Sequence, residues 1–494
     1  MAKALMIQGT GSDAGKSLIT AALCRIFRDM GLSVAPFKAQ NMALNSYITS
    51  EGGEIGRAQA LQAEAAGIEP SVDMNPILLK VSGETGSQVI IHGKVHSNMK
   101  AQEYYSFKKE AWKAVRTSFD RLSQKYEVIV IEGAGSPAEI NLMDVDVVNM
   151  AVAKHADAPV ILVGDIDRGG VFASLYGTVQ LLGNDSRYIK GFVINKFRGD
   201  PEILRPGLEM IEEKTGRPVI GVLPYIRDIG LPEEDGMALQ RQRAESGKGI
   251  KEIKIVIVRL QYIANFTDFD PLTYEPDVEV VYSGNPVEIE NADMVIIPGS
   301  KNTVRDMGFL KESGLAESIK RASSKGIMVA GICGGYQMMG RKIYDPHGVE
   351  SPLSEIDGIG LLNTETFYEK EKITCRVEAG MADASGFPLR GYEIHMGVSR
   401  GDIGLFRLKR LPAGEGYELD GSGDNNCWGT YIHGLFENDS FRRDLLDRLR
   451  DRRGLDSLNS KIKYSELKDR AIDNLADIVR RNIGIDFIKR AVKI

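Results

Sequence analysis

The amino-acid sequence predicts an α/β protein with two parallel-sheet domains. Short runs of β-branched residues, each ending in glycine or a polar loop, alternate with longer segments of helical period, as parallel α/β layers require. The chain has 494 residues, of which 43% are hydrophobic, so it is long enough to build roughly two to three domain cores. The polar, glycine-containing stretch 236–250 interrupts the alternation, which then starts again.

The order of elements divides the chain into four parts. In the first half, candidate strands lie at 4–8, 33–37, 128–131, 160–163, 192–195 and 219–223, and a helix with one apolar face lies at about 15–30. In the second half, candidate strands lie at 253–258, 294–297 and 328–330. We therefore predict an amino-terminal domain at 1–235, a linker at 236–250, a second domain at 251–445 and a helical tail at 446–494.

Composition and charge argue against several kinds of partner. The formal net charge is −6, and no block of Lys or Arg is present, so we expect neither nucleic acid nor an anionic membrane as a partner. We interpret Arg442, Arg443 and the basic residues at 450–453 as a solvated helix face. The first apolar stretch is too short for a signal peptide, and no later run approaches the roughly 20 residues of a membrane span.

The cysteines indicate a reducing environment. Cys24, Cys333, Cys375 and Cys427 lie far apart and have no metal-ligand spacing, and a chain of this length needs no disulfides to fold. We therefore expect the protein in the cytoplasm. The sequence leaves its oligomeric state unknown.

A phosphate-binding loop is predicted between the first strand and the first helix. Residues 9–17 read Gly-Thr-Gly-Ser-Asp-Ala-Gly-Lys-Ser, and a loop in this position can surround phosphates with backbone N–H groups. Lys16 would neutralise phosphate charge and Ser17 would ligate magnesium. The first glycine lies one position earlier than in the standard loop, and a generic glycine turn is the alternative. The candidate nucleotide contacts are Gly9, Thr10, Gly11, Asp13, Gly15, Lys16 and Ser17.

Polar residues at the ends of other strands extend this candidate site. Glu132 ends an apolar strand, where a second magnesium ligand or a water-positioning carboxylate would lie. Lys38 follows the second strand and can reach a transferred phosphoryl group. For both residues, a solvent-facing side chain is the alternative. Asn195 either reads adenine or caps a strand end. We therefore predict ATP and Mg²⁺ as the cofactors of this half.

A cysteine nucleophile is predicted in the second half. Residues 331–335 read Gly-Ile-Cys-Gly-Gly after an apolar strand, which is typical of a tight strand-to-helix turn that exposes Cys333. The start of a helix stabilises the thiolate, which is the reactive form. His433 ends a later apolar strand and is the candidate base. The backbone N–H of Gly334, with another from Gly299, would form an oxyanion hole. The alternative is a buried packing cysteine, the role that we assign to Cys24, Cys375 and Cys427.

Other polar residues are open to two interpretations. His395 alternates with Glu393 on one strand face, so it can contact either substrate or core. Asp165, Asp167 and Arg168 follow a strand and face the same side as Glu132, which suggests contact with substrate or metal.

These motifs resemble known families. The turn at Cys333 together with His433 resembles the class I (triad) glutamine amidotransferase domain, and the loop at 9–17 resembles that of the dethiobiotin-synthetase-like ATPases. The segments 40–46, 132–141, 165–177, 195–200 and 391–395 resemble the cobyric acid synthase family of cobalamin biosynthesis, and the resemblance extends from about residue 3 to residue 445. It implies possible substrate contacts at Asn41, Asp165, Arg168 and His395.

One position departs from the general amidotransferase pattern. Those domains carry a carboxylate two residues after the histidine, and here that position is Leu435. The third member of the triad is therefore missing from the motif. We expect another group, Glu437 or a backbone carbonyl, to orient His433.

The resemblance implies a complete reaction. Cys333 would release ammonia from L-glutamine, and ATP would phosphorylate a carboxylate of an adenosylated corrin. The implied acceptor is adenosylcobyrinic acid a,c-diamide, amidated at its b, d, e and g carboxylates to give adenosylcobyric acid. Two alternatives remain: a cobyrinic acid a,c-diamide synthase, and a P-loop ATPase switch whose second domain only binds. Glutaminase activity separates the last alternative from the others.

Overall fold

The structure is a computed structural model that describes residues 2–81, 86–226, 229–232, 251–383, 386–412, 416–458 and 460–494. The predicted linker at 236–250 lies outside the described residues. Both predicted α/β halves are present, and each contains a six-stranded sheet.

The amino-terminal half contains twelve strands and six helices among its described residues. The strands are β1 (Lys3–Gly9), β2 (Val34–Phe37), β3 (Gln40–Met42), β4 (Ser46–Ile48), β5 (Glu54–Gly56), β6 (Ile77–Val81), β7 (Gly86–Ile91), β8 (Lys94–Lys100), β9 (Val128–Glu132), β10 (Val160–Asp165), β11 (Ile189–Phe197) and β12 (Val219–Pro224). The helices are α1 (Lys16–Asp29), α2 (Arg57–Ala66), α3 (Ala101–Lys125), α4 (Met150–His155), α5 (Val171–Leu181) and α6 (Pro201–Thr215).

The main sheet of this half is parallel and has the order β12-β11-β10-β1-β9-β2. All six of its strands overlap the predicted ranges. Because β1 lies between β10 and β9, the loop after β1 lies at the centre of the edge where parallel strands end. Ligands bind at such an edge.

A second group of strands was not predicted. The sheet β3-β6-β7-β8 and the pair β4-β5 are inserted between β2 and α3. Three of these strands have only three residues each, too few to show a period in the sequence. The insertion faces the second half, because Thr374 Oγ1 donates to the backbone oxygen of Gly52 at 3.0 Å.

The carboxy-terminal half contains the remaining elements. The strands are β13 (Ile253–Val258), β14 (Val278–Ser283), β15 (Met294–Ile297), β16 (Met328–Ile332), β17 (Lys342–Tyr344), β18 (Glu355–Asp357), β19 (Thr364–Met381), β20 (Leu389–Gly401), β21 (Phe406–Leu411), β22 (Glu418–Asp420), β23 (Ser422–Asp424) and β24 (Cys427–Thr430). The helices are α7 (Asp270–Thr273), α8 (Pro286–Glu290), α9 (Thr303–Glu312), α10 (Leu315–Ser324), α11 (Gly334–Met339), α12 (Asp439–Arg452), α13 (Tyr464–Asn482) and α14 (Ile485–Val492).

The main sheet of this half has the order β14-β13-β15-β16-β24-β23 and is parallel except at β23. The predicted strands at 253–258, 294–297 and 328–330 are confirmed. A further sheet, β18-β17-β19-β21-β22 with β20 paired to β19, was not predicted. Its long antiparallel pair β19–β20 extends to the inserted strands of the first half.

The prediction of a solvated face on the helix α12 is wrong for Arg442 and Arg450. Arg442 is fully buried and its Nε donates to Glu275 Oε1 at 2.8 Å, while Arg450 Nη1 lies 3.0 Å from Asp277 Oδ2. Because the carboxylate partners are distant in sequence, the charge pattern of the helix alone does not reveal the burial. The helix also runs through the predicted domain boundary at 445/446.

The last helices pack against the amino-terminal half. Apolar residues of α13, including Leu475 and Val479, share a core with Leu23 of α1, and Arg25 Nη1 lies 3.0 Å from Asp473 Oδ1. The predicted tail is therefore helical and completes the layer beside α1. No helix among the described residues is long and apolar enough to span a membrane.

Candidate active site

The loop between β1 and α1 closes around the ammonium group of Lys16. Lys16 Nζ donates to the backbone oxygen of Gly11 at 2.8 Å and to that of Gly135 at 3.3 Å. Gly15 has φ +96°, and a Cβ atom there would lie 2.1 Å from Asn195 Nδ2. A Cβ atom at Gly9 would lie 3.1 Å from Lys16 Nζ, so the displaced glycine leaves room for the lysine. This geometry supports a phosphate-binding loop rather than a generic glycine turn.

Glu132 lies at the centre of a buried polar cluster beside this loop. Ser17 Oγ donates to Glu132 Oε1 at 2.8 Å, and Gln62 Nε2 donates to Glu132 Oε2 at 2.6 Å. Lys38 Nζ lies 2.8 Å from Glu132 Oε1. Burial alone would raise the pKa of Glu132, but Lys38 and the two hydrogen bonds lower it. Both Glu132 and Lys38 are buried, so the solvent-facing alternative is wrong for these two residues.

The donors of this cluster fit a magnesium ion. Magnesium is held in such sites by one or two carboxylates together with substrate phosphates and water. The Ser17 hydroxyl and the Glu132 carboxylate are hard oxygen donors in direct contact with each other, at the edge where a phosphate loop presents its ligand.

The other predicted residues of this half join two hydrogen-bonded groups. Arg168 Nη2 donates to Asp13 Oδ2 at 2.7 Å, and Lys196 Nζ donates to Asp165 Oδ2 at 2.7 Å. Arg168 therefore contacts Asp13 of the phosphate loop, and Asp165 Oδ2 lies 3.7 Å from Arg168 Nε. Thr10 begins this loop, where its backbone N–H donates to the Val163 oxygen at 2.9 Å.

Asn195 and Asn41 use their amides within the protein. Asn195 Nδ2 donates to the backbone oxygen of Ala14 at 2.9 Å, and Asn195 Oδ1 accepts from the N–H of Lys196 at 2.8 Å. This contact agrees with the strand-end cap, while a role of Asn195 in reading adenine stays a prediction. Asn41 Nδ2 donates to Gln59 Oε1 at 3.0 Å, and Gln59 Nε2 lies 3.4 Å from Glu132 Oε2.

Cys333 lies in a strained turn between β16 and α11. Its backbone has φ +52° and ψ −107°, a conformation that L-residues other than glycine rarely adopt. A Cβ atom at Gly335 would lie 1.9 Å from the backbone oxygen of Ile297, and one at Gly331 would lie 2.7 Å from the Tyr336 nitrogen. The flanking glycines are therefore required by close packing, as the sequence predicts for a nucleophile turn.

The group that orients His433 is Asp268. His433 Nδ1 and Asp268 Oδ2 are 2.6 Å apart, and both side chains are buried. The expectation that Glu437 or a backbone carbonyl orients His433 is wrong, because Glu437 forms an ion pair with Arg57 instead. Burial alone would lower the pKa of His433, but the adjacent Asp268 and Cys333 raise it to about 10.

The loop after β15 lies against both Cys333 and His433. A Cβ atom at Gly334 would lie 2.8 Å from the backbone nitrogen of Ser300, and one at Gly299 would lie 3.3 Å from His433 Cε1. The loop at Gly299 and Ser300 therefore lies against both Gly334 and His433. An oxyanion hole formed by the N–H groups of Gly334 and Gly299 stays a prediction.

Cys333 and His433 line a cavity between the two halves of the chain. Its walls also include Asn265, Lys301, Glu350 and the predicted His395. The inserted sheet of the first half contributes Lys80 and Gln88, and β19 contributes Lys372. The cavity is therefore closed by residues from both halves.

His395 lies on the wall of this cavity with both ring nitrogens engaged. Its Nδ1 lies 2.7 Å from the backbone oxygen of Gly397, and its Nε2 lies 3.3 Å from Glu393 Oε1. The ring stacks on Tyr431 with centroids 3.8 Å apart. These contacts give His395 a packing role at the cavity wall, and a contact with substrate stays a prediction.

The other three cysteines do not line the cavity that Cys333 lines. Like Cys333, they are buried and free, and burial raises the pKa of Cys375 to about 12 and that of Cys427 above its ordinary value. The pKa of Cys24 is also raised by burial. These environments disfavour a thiolate, in agreement with the structural roles predicted for the three residues.

Sequence reasoning missed several polar residues of both sites. They are Asp268, Asn265, Lys301 and Glu350 around the cavity, and Gln59 and Gln62 beside Glu132. The one available signal was for Gln62, because α2 carries amides at 59 and 62, on one helix face. Asp268 lies in a short helical turn at 266–269 without any motif around it.

Two protein families match the chain, one in each half. Residues 5–239 match a CobQ/CobB/MinD/ParA nucleotide binding domain, and residues 254–441 match a CobB/CobQ-like glutamine amidotransferase domain. The fold and the two sites define a glutamine-dependent amidoligase with a nucleotide-binding domain.

Proteins named cobyric acid synthase are similar to the chain over almost its whole length. That of Thermodesulfovibrio yellowstonii is 50% identical over 98% of each chain, and that of Syntrophobacter fumaroxidans is 49% identical over 99% of each chain. That of Dehalococcoides mccartyi is 47% identical over 99% of this chain and 98% of its own. The chain belongs to the cobyric acid synthase family.

Proposed function

We propose that this protein is the glutamine-hydrolysing, ATP-dependent enzyme that converts adenosylcobyrinic acid a,c-diamide into adenosylcobyric acid. The observation that carries the proposal is the pair of sites in one chain: Cys333 beside His433 in one half, and Lys16 beside Ser17 and Glu132 in the other. A fused chain of this kind can release ammonia at one site and use it at the other.

The glutaminase reaction begins at Cys333. The thiolate attacks the side-chain amide carbon of glutamine, and the negative charge on the oxygen is held by the N–H groups of Gly334 and of the loop at Gly299. The His433 imidazolium gives its proton to the departing nitrogen, which leaves as ammonia. Water, deprotonated by His433, then hydrolyses the thioester to glutamate. Asp268 holds Nδ1 of His433 throughout, so that Nε2 carries the transferred proton.

The synthetase reaction activates a carboxylate, which is a poor electrophile until it is phosphorylated. The phosphate loop holds ATP, with Lys16 and Lys38 neutralising charge on the transferred phosphoryl group. Ser17 and Glu132 would hold Mg²⁺, which supplies further charge neutralisation when bound. The carboxylate oxygen attacks the γ-phosphorus and ADP leaves. Ammonia then attacks the acyl phosphate and displaces phosphate, giving the amide.

The acceptor is proposed on the strength of the family. Relatives named cobyric acid synthase match almost the full length of the chain, and this supports a corrin acceptor with amidation at the b, d, e and g carboxylates. Four free cysteines support a reducing compartment, and we propose that the reaction takes place in the cytoplasm.

The direct test follows the acceptor by mass spectrometry. Purified protein is incubated with ATP, Mg²⁺, glutamine and adenosylcobyrinic acid a,c-diamide, and the expected result is stepwise conversion of acids to four new amides. Omission of ATP should stop the conversion. Glutamine hydrolysis without any change in this corrin, but with amidation of cobyrinic acid, would instead support the a,c-diamide synthase.

A further inference from the structure

The cavity in front of Cys333 contains charged side chains that amide hydrolysis itself does not need. The proposed reaction uses a thiol, an imidazole and backbone N–H groups. Lys301 and Glu350 nevertheless line the same cavity. Lys301 follows the loop that lies against Gly334, and Glu350 Oε2 accepts a hydrogen bond from the N–H of Thr303 at 2.7 Å. Both charges therefore lie on the wall of the reaction site.

Lys301 differs from the other two lysines of this cavity in forming no ion pair within 4 Å, although the Glu350 charge acts on it from a greater distance. Lys80 and Lys372 both bind Glu54, at 2.8 and 2.6 Å. Within the described residues, the Lys301 side chain makes neither a hydrogen bond nor an ion pair shorter than 4 Å. A partly buried ammonium without a hydrogen bond or a close ion pair is costly, and a bound anion would reduce that cost.

Glu350 provides the opposite charge. Burial raises the pKa of Glu350 to about 7, and the Lys301 charge opposes the rise. One of its oxygens accepts from Thr303, which leaves further acceptor capacity on the carboxylate. A cation bound beside this group would keep it ionised.

We propose that Lys301 binds the α-carboxylate of substrate glutamine and that Glu350 binds its α-ammonium group. Free glutamine carries an α-carboxylate and an α-ammonium group at neutral pH. A glutamine residue within a peptide and a simple amide both lack this pair of charges. The pair therefore selects the free amino acid and places its side-chain amide at Cys333. This inference rests on the proposed glutaminase function.

The test measures binding to the full chain in a Cys333→Ala background, so that no ligand is consumed. Three ligands are titrated calorimetrically: L-glutamine, glutaramate, which lacks the ammonium group, and L-glutamine α-amide, which lacks the carboxylate. We expect Lys301→Met to weaken glutamine binding about tenfold or more but to leave the α-amide unchanged. Glu350→Gln should weaken glutamine binding similarly and leave glutaramate unchanged.

Matched controls are Lys311→Met and Glu312→Gln, exposed residues at the end of α9 outside the cavity, which should leave all affinities unchanged. The unchanged ligand in each variant also shows that the variant is folded. Equal weakening of all three ligands, or no weakening of glutamine, would overturn the assignment while the glutaminase function stands. If the parent chain does not bind glutamine and the wild type does not hydrolyse it, the proposed function fails as well.

Discussion

The backbone N–H of Ser46 donates to Asn265 Oδ1 at 2.9 Å, and this hydrogen bond joins the nucleotide-binding half to the amidotransferase half. The amide nitrogen of Asn265 lies 3.5 Å from His433 Nε2. The ring of Tyr392 stacks on the imidazole of His433, and the Tyr392 hydroxyl donates to the Ser46 oxygen at 3.3 Å. The surroundings of His433 are therefore built by both halves.

Loss of the Asn265 side chain should disturb both the contact between the two halves of the chain and the position of His433. Asn265→Ala leaves the buried Ser46 N–H without a partner, which costs about 1–3 kcal/mol, so we expect a lower Tm and a severalfold lower glutaminase kcat. Scanning calorimetry and a glutamate-release assay measure the two effects. Asn291→Ala, which removes a surface hydrogen bond to Val287, is the control. Equal Tm values for the two variants would contradict a role for this bond.

Removal of the Asp268 charge should impair glutamine hydrolysis strongly. Asp268→Asn takes away the carboxylate that holds Nδ1 of His433, and we expect kcat to fall by about 10²–10⁴-fold with a smaller change in KM. Asp451→Asn, an exposed residue of α12, should match the wild type. If Asp268→Asn kept about half of the wild-type kcat or more, His433 would need no carboxylate.

The pH dependence of hydrolysis should report the same interaction. The pKa of His433 is raised to about 10, so the imidazolium persists well above neutral pH and the alkaline limb of kcat/KM should lie in that region. Without the Asp268 charge the pKa falls, and we expect the limb to move down by roughly 1–3 pH units in Asp268→Asn. If the alkaline limb does not move in Asp268→Asn, it reports the ionisation of a group other than His433.

The two sites should be separable by mutation. Lys16→Met removes the charge at the phosphate loop, so we expect amidation to fall about 10²–10³-fold while glutamine hydrolysis is retained. Lys3→Met, at an exposed position of β1, controls for the loss of a lysine from the same half. If Lys16→Met amidated the acceptor at the wild-type rate, the loop at 9–17 would have no role in the reaction.

The elements of the fold that have their own local sequence pattern could be predicted from the sequence. The six strands of the amino-terminal sheet, the strands β13, β15 and β16 of the second sheet and the loop at 9–17 follow from period and spacing, and they lie where the sequence places them. The role of Asp268 could not be predicted, because 165 positions separate it from His433 and only the folded chain brings the two residues together. Arg442 was misassigned for the same reason, since its partner Glu275 lies 167 positions away. The contacts that complete the cavity are likewise between distant segments, such as Lys372 and Glu54.

The central claim is that Cys333 releases the nitrogen that the other half incorporates. We would measure the source of the product amide in the Cys333→Ala variant, supplying either glutamine labelled with ¹⁵N in its side-chain amide or ¹⁵N-ammonium, with ATP, Mg²⁺ and the corrin acceptor. Cys427→Ala, a buried cysteine outside the cavity, is the matched control. We predict that Cys333→Ala incorporates label from ammonium and none from glutamine, whereas the control uses both. Label transferred from glutamine by Cys333→Ala would contradict the account.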